Sequence, residues 1–240
     1  MNSLVHRFPL VRILGHMRVP RPTEHHDRRT VGLALGGAVA LGIAGRLAVH
    51  VGGDLPHGAA LSALGRSFVA LGAPWLAVAW TLGFFSGSRR RGAWAGGIAL
   101  SLGTVSWYLL TVLTGGATAA PYAVPLAFAW GVVALPAGAL FGFAGAAWRD
   151  GSVVERAFAV AGLAGALAGE ALLLGREWTG RAADFALYAE LLVAVALLWA
   201  ARRKTPLRLT IALFALAVIA MAGAEHAVRD GLRLAGWAGP

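Results

Sequence analysis

Residues 122–148 read YAVPLAFAWGVVALPAGALFGFAGAAW, a run of 27 residues without one charged side chain. A helix needs about 20 mostly apolar residues to cross the roughly 30 Å of hydrocarbon in a bilayer. The run is therefore long enough to span a membrane, and its excess length indicates a tilted or bent helix. Pro125 and Pro136 lie inside it, where each removes a backbone donor and can kink the helix.

The rest of the chain has the same apolar character. Of its 240 residues, 58% are hydrophobic and 13% are charged, whereas about 25% of residues are charged in soluble domains. The mean hydropathy is +0.68. This composition excludes a disordered chain. Because the chain has no cysteine, a disulfide-stapled secreted module and thiolate chemistry are excluded as well.

Seven windows of the chain are apolar and close to the length of a membrane span. They predict an all-α fold, a polytopic transmembrane helical bundle that occupies residues 31–228. Six spans would result if the last two windows formed a hairpin that does not cross. The seven predicted spans are residues 31–50, 68–85, 92–113, 122–148, 157–174, 185–201 and 209–228.

The basic residues alternate between the gaps that separate these spans. The formal net charge is +10, from 21 basic and 11 acidic residues, and cytoplasmic loops carry the excess of Lys and Arg. One side of the membrane receives the six Arg of residues 1–30 together with Arg89, Arg90, Arg91, Arg149, Arg156, Arg202, Arg203, Lys204 and Arg208. We therefore expect a multi-pass protein of the cell membrane, the bacterial inner membrane, with its N-terminus inside and its C-terminus outside. The charge is explained by topology and lipid head groups, so no nucleic-acid partner is expected.

The two ends of the chain differ from the predicted bundle. Residues 1–30 form a basic arm that is either flexible or lies along the membrane surface. Prolines at positions 9, 20 and 22 interrupt any apolar core of a cleavable signal peptide, and Met17 offers an alternative start. Residues 229–240 form a short external tail.

Glycine pairs at four-residue spacing occur in five of the predicted spans. Small residues at this spacing let membrane helices approach closely. We expect these pairs to pack helix against helix within one compact bundle, and a dimer face is the alternative. Pro74 also falls inside a span, the second, and can kink it unless neighbours satisfy the freed carbonyl. The glycine pairs are Gly32 and Gly36, Gly83 and Gly87, Gly92 and Gly96, Gly138 and Gly142, and Gly165 and Gly169.

Ionisable residues gather near the outer ends of the predicted spans. Placing such a side chain at the centre of the membrane costs at least about 2.5–3.5 kcal/mol, and ionisable residues found there usually have a function. The helical rise places Glu170 roughly 20 Å along its span from the inner side, and Arg46, His50, Glu190 and Glu225 reach the same outer half. We expect a ligand-binding site that opens outward, in which Arg46 balances one carboxylate and another glutamate binds a cation, a proton or an amine. Two alternatives remain: these residues pair to fix helix register, or they reach the membrane interface.

Trp148 and Trp199 suit the aromatic belt at the inner membrane interface. Several other tryptophans lie too deep in the spans to belong to either belt. Trp75, Trp107 and Trp130 share the level of the carboxylates. Aromatic walls that face carboxylates would suit a small cationic or aromatic solute. The alternative is that these rings fill gaps left by the many glycines.

The sequence lacks the common catalytic and cofactor motifs. It has no phosphate-binding loop, no dinucleotide fingerprint, no His-Glu-x-x-His and no Gly-x-Ser-x-Gly. We therefore expect no catalytic residues, no metal site and no cofactor.

Five features resemble an uncharacterised family of small polytopic membrane proteins common in actinobacteria, a domain of unknown function. The resemblance covers residues 31–176 and implies a cell-membrane location, and it implies nothing about catalysis. In size and helix number the chain is also similar to substrate-capture subunits of energy-coupling-factor vitamin importers, which commonly have six spans. The features are the glycine-rich first span, the segment from Pro74 and Trp75 through Trp80 to Gly83, the triple arginine at 89–91, Trp107-Tyr108, and Gly169-Glu170.

Three functions are compatible with this sequence. The first is a solute-binding or transport protein with an outward-facing polar and aromatic site. The second is a non-catalytic subunit whose small-residue faces pack against another membrane protein. The third is a membrane-embedded enzyme that acts on a lipid or isoprenoid, with a buried glutamic acid as proton donor. The third lacks any motif that positions a pyrophosphate or a metal.

Overall fold

The computed structural model describes residues 72–115, 120–177 and 181–234, together with six isolated helical positions between 32 and 43. Near some helix ends it describes the backbone alone. The described residues fold entirely into helices and turns, which confirms the all-α prediction. The helices are α1 (Ala73–Phe85), α2 (Arg89–Gly115), α3 (Ala120–Asp150), α4 (Val153–Glu177), α5 (Arg181–Ala201) and α6 (Leu207–Leu234).

These helices match the second to seventh predicted spans in order. Within the described residues, α2, α3, α4 and α6 contain stretches long and apolar enough to cross a membrane. The apolar parts of α1 and α5, Ala73–Phe85 and Phe185–Ala201, are shorter. The protein is therefore a helical bundle of membrane type. The predicted arm lies outside the described residues, as does the first span apart from the isolated positions, so seven spans and their orientation stay predictions.

Three turns lie together at one end of the bundle, at residues 86–88, 151–152 and 202–206. The basic residues that the sequence predicts on one side lie in or beside these turns, so the structure groups these charges at a single end. Three contacts join this end: Arg149 Nη1 to the Phe84 carbonyl oxygen at 2.7 Å, Arg89 Nη1 to Glu155 Oε1 at 2.6 Å, and Lys204 Nζ to the centroid of the Trp148 ring at 5.1 Å.

Glycines bring the backbones of α2 and α3 into direct contact. A Cβ atom built on Gly92 would lie 2.6 Å from the Gly142 carbonyl oxygen, and one on Gly96 would overlap the Gly138 carbonyl oxygen. A Cβ on Gly83 of α1 would likewise overlap Gly142. In lipid, where apolar burial does not favour helix association, this close contact is what holds helices together. These pairs therefore pack inside the bundle, as expected.

Helix α4 is the centre of the described bundle. It contacts α1, α3, α5 and α6, and 72% of its apolar window is buried, against 6% for α6. Helix α6 packs on α4 through Gly165, where a Cβ would lie 2.5 Å from the Ala217 Cβ, and through Gly169. The first predicted span touches α2 at Gly42, whose Cβ would lie 2.9 Å from the Ser106 Cβ, whereas Gly32 and Gly36 have no described atom within 4 Å of such a Cβ.

The prolines behave in two different ways. Pro125 and Pro136 lie inside α3 as predicted. Pro74 lies in the first turn of α1, which begins at Ala73, so it does not interrupt the described helix. A proline is favourable there since the first N–H groups of a helix have no partner within the helix.

Candidate functional site: a buried carboxylate at the start of helix α1

Glu170 of α4 is buried, with 5% of its surface exposed. Its Oε1 accepts a hydrogen bond from the Gly72 N–H and its Oε2 accepts one from the Ala73 N–H, both at 2.5 Å. The next residue, Pro74, has no N–H. The first N–H groups of a helix lack partners inside the helix and carry the positive end of its dipole. Glu170 thus supplies, from another helix, the negative cap that α1 needs.

The opposite end of α1 is held by a positive side chain. Arg149 of α3 donates from Nη1 to the carbonyl oxygen of Phe84, the last residue but one of α1. A guanidinium at the C-terminus of a helix complements the dipole in the same way as a carboxylate at its N-terminus. Helix α1 has 13 residues, about 20 Å at the helical rise, and is too short to cross the hydrocarbon. An acid and a base from neighbouring helices therefore fix both of its ends.

Glu190 of α5 is the second buried carboxylate of the described bundle, with 5% exposed. Helices α4 and α5 pack against each other and are joined by residues 178–180. Measured from Glu177 and Arg181, where the two helices meet this connection, residues 170 and 190 lie about 10 and 14 Å away along their axes. The two carboxylates therefore lie at a similar depth on adjacent helices.

Trp75 lies in the first turn of α1, three residues after Gly72, and packs against the main apolar cluster. This cluster includes Ala73 of α1 and Leu167 and Ala168 of α4. This placement fits the interpretation of Trp75 as a gap-filling core residue, and it keeps an aromatic surface near the start of α1.

Trp107 and Trp130 lie on α2 and α3. The Trp107 ring meets Tyr108 edge to face, with the ring centroids 4.8 Å apart. Its buried indole Nε1 has no acceptor among the described residues. Trp130 precedes Gly131, whose carbonyl oxygen accepts a hydrogen bond from Ser101 Oγ at 2.9 Å across the α2–α3 interface. These two rings therefore belong to α2 and α3, whereas the carboxylates belong to α4 and α5.

The remaining predicted site residues are not described. Arg46 and His50 lie outside the described residues. Residue 225 belongs to α6, but the Glu225 side chain lies outside the described part. Its neighbour His226 is paired with Asp230, with Nε2 and Oδ2 3.3 Å apart, and both side chains are largely exposed. Their roles in an outer polar layer stay predictions.

The sequence indicates Glu170 as a site residue but does not reveal what Glu170 binds. Its partners are the backbone N–H groups of Gly72 and Ala73, which carry no residue-type signature. The available signal was Pro74, since a proline in the first turn commonly marks a helix start. The sequence places Arg149 at the basic end of the bundle but does not predict its hydrogen bond to α1.

A helical bundle with apolar stretches of spanning length, basic turns at one end and carboxylates buried between helices defines a polytopic membrane protein. Residues 21–230 match the family of unknown function DUF6518. The chain belongs to this family, and the match extends beyond residues 31–176, on which the resemblance was based. No curated protein and no solved structure matched the chain. The expected similarity to substrate-capture subunits therefore stays a prediction.

Proposed function

We propose that this protein is a solute-binding or transport-type protein of the cell membrane, with its polar site at the start of α1. The observation that carries the proposal is the buried Glu170 carboxylate, which holds the N-terminus of a helix too short to cross the bilayer. Glu190, buried at a similar depth on the next helix, is the proposed ligand-binding carboxylate.

Physical reasons connect this geometry to binding. A helix that begins inside the bundle places its positive dipole end and its first N–H groups inside the protein. Irregular backbone at membrane depth is tolerated only where protein or a water-filled cavity surrounds it. Secondary transporters point such helix N-termini at anionic groups near the bilayer midplane, and here the Glu170 carboxylate occupies that position. A carboxylate that accepts two N–H groups is a fixed element, and we assign ligand binding to Glu190 because it is buried at a similar depth on the adjacent helix.

The proposed ligand is a proton, a small cation or a solute amine. Arg46, His50 and Glu225 would complete the outer polar layer and balance charge. Trp75 would supply the aromatic surface nearest to the carboxylates, because it lies in the first turn of α1. Trp107 and Trp130 would contribute from α2 and α3.

Solute-dependent thermal stabilisation tests the proposal. Purified protein is melted in detergent with a panel of inorganic cations, amines and aromatic cations, and tryptophan fluorescence reports unfolding. Glu190→Gln should remove the stabilisation by the best solute. Asp150→Asn, which removes one negative charge from an exposed residue at the opposite end, should keep it. Full stabilisation of the Glu190 variant would refute the assigned role, and a panel without any effect would refute a site for these solutes.

A second function, a subunit of a membrane complex, is favoured by one observation. Helix α6 packs mainly on α4 and leaves large apolar side chains exposed, among them Ile211, Leu216 and Ile219. Lipid or a partner helix could cover this face. Purification in a mild detergent separates the two cases: a stoichiometric membrane partner supports the subunit, and a monodisperse monomer contradicts it.

A further inference from the structure

A groove of about 240 Å³ lies between α3 and α4 at the basic end of the bundle. Alanines form its floor, and Ala147 and Ala159 are almost fully buried. Phe143 and Phe158, 40% and 55% exposed, stand beside this floor. The groove follows α3 for about two turns, roughly 10 Å at the helical rise. Its lining is apolar along this length and suits an alkyl chain.

The groove ends at a charged pair. Glu155, one of its lining residues, is bridged to Arg89 with Nη1 and Oε1 2.6 Å apart. The Arg89 guanidinium carbon also lies 5.8 Å from the centroid of the Phe143 ring. The Glu155 carboxylate in addition accepts the Ser152 N–H at 2.7 Å, which closes the first turn of α4. The apolar groove therefore leads directly to a partly exposed guanidinium.

The surroundings of this guanidinium are strongly positive. The basic end of the described bundle holds nine basic and two acidic residues, a surplus of seven positive charges. Arg89 and Arg149 are paired with Glu155 and Asp150. The basic residues are Arg89, Arg90, Arg91, Arg149, Arg156, Arg202, Arg203, Lys204 and Arg208, and the acidic residues are Asp150 and Glu155.

We propose that this groove binds an anionic phospholipid, with one acyl chain along the alanine floor and the phosphate beside Arg89. The occupant follows from charge complementarity, since basic pockets between membrane helices attract anionic head groups. A second helix would also fit an apolar groove, but it would gain nothing from the cations at its mouth. This site is separate from the proposed solute site, because residues 155 and 170 lie about 22 Å apart along α4.

Native mass spectrometry of delipidated protein tests the proposal. The protein is titrated with phosphatidylglycerol or phosphatidylcholine that carry identical acyl chains. We expect phosphatidylglycerol to bind about fivefold more tightly, the factor that one basic residue at a membrane surface contributes. Equal binding of the two lipids would overturn the proposal. Displacement of phosphatidylglycerol by inorganic phosphate would also overturn it, because the site would then recognise a free anion.

Two pairs of variants locate the lipid. Arg89→Gln should abolish the preference for phosphatidylglycerol, whereas Arg203→Gln, which removes the same charge from an exposed turn, should keep it. Phe158→Ala should weaken binding of both lipids severalfold, whereas Phe128→Ala, at an exposed position elsewhere on α3, should not.

Three results of these variants would contradict the site. Equal losses in the two arginine variants would mean that diffuse charge attracts the lipid. Unchanged binding in Phe158→Ala would place the acyl chain elsewhere, and this variant keeps the test decisive if Arg89→Gln fails to fold. A dimer that dissociates in Phe158→Ala would assign the groove to a second copy of the chain.

Discussion

Replacing Glu170 with glutamine tests whether this side chain holds α1 in place. Glutamine keeps the shape of the side chain but offers one acceptor oxygen instead of two. The Gly72 and Ala73 N–H groups need two acceptors. In Glu170→Gln one of them therefore faces an NH2 group, which cannot accept a hydrogen bond. We expect a less stable protein whose helix α1 begins to fray at Ala73.

The magnitude follows from the contacts that are lost. A buried donor without an acceptor costs about 1–3 kcal/mol, and loss of a helix cap costs about 1 kcal/mol by an independent measure. We take about 2 kcal/mol for Glu170→Gln. For a chain of about this length each kcal/mol lowers the melting temperature by about 2–4 °C. The expected decrease is therefore about 4–8 °C.

Thermal unfolding in detergent measures this change. The nine tryptophans give an intrinsic fluorescence signal, and the absence of cysteine rules out thiol-reactive dyes. Gly72→Ala is the matched control. It keeps both N–H donors, and its Cβ would lie at an ordinary distance of 3.7 Å from Glu170 Oε1. We expect this control to melt close to the wild-type temperature.

Two results would refute the capping role. The first is a Glu170→Gln melting temperature within about 1 °C of the wild type, a smaller change than the loss of one buried acceptor allows. The second is a loss of stability in Gly72→Ala as large as in Glu170→Gln, which would mean that packing around Gly72, and not the hydrogen bonds, holds the start of α1.

Three further predictions use the same purified protein. Gly142→Ala should lower the melting temperature, because overpacking costs about 1–3 kcal/mol, whereas Gly162→Ala, with no described atom within 4 Å of its Cβ, should not; equal melting would contradict the close helix contact. Arg149→Lys should lower the melting temperature, because lysine lacks the fork that joins the α1 carbonyl and Asp150, but by less than Glu170→Gln, because lysine keeps the positive charge at the end of α1; an unchanged melting curve would show that this contact is dispensable. Cysteines placed at Ser88 and Ser152 of the cysteine-free chain should both react with an impermeant thiol reagent from the cytoplasmic side of oriented vesicles; labelling from opposite sides would contradict the shared end.

The helix order could be predicted because hydrocarbon thickness sets the length of each apolar run. The predicted span 122–148 corresponds to α3, Ala120–Asp150, and the predicted span 157–174 corresponds to α4, Val153–Glu177. The helices extend beyond their windows because charged residues such as Arg89 and Glu155 end an apolar run without ending a helix. The alternation of basic residues also predicted which turns share one end of the bundle.

The sequence could predict the depth of the buried glutamates in the candidate site but not the partners of Glu170. Depth along the helices indicated that Glu170 and Glu190 would be buried at one level, since both lie inside apolar runs. The partners of Glu170 are main-chain N–H groups 97 and 98 positions away in the sequence. A residue pattern does not encode such donors. The sequence places Pro74 inside an apolar run, so the helix start at Ala73, beside these N–H groups, was not predicted.

The dependence of α1 on its two charged neighbours has a consequence for biogenesis. The ribosome delivers α1 before either neighbour, since Arg149 follows Phe84 by 65 positions and Glu170 follows Gly72 by 98. The helical part of this segment has 13 residues, fewer than a spanning helix needs. Both end contacts of α1 are therefore complete only after α4 has been synthesised, so the helices of this protein do not reach their final contacts in the order in which they leave the ribosome.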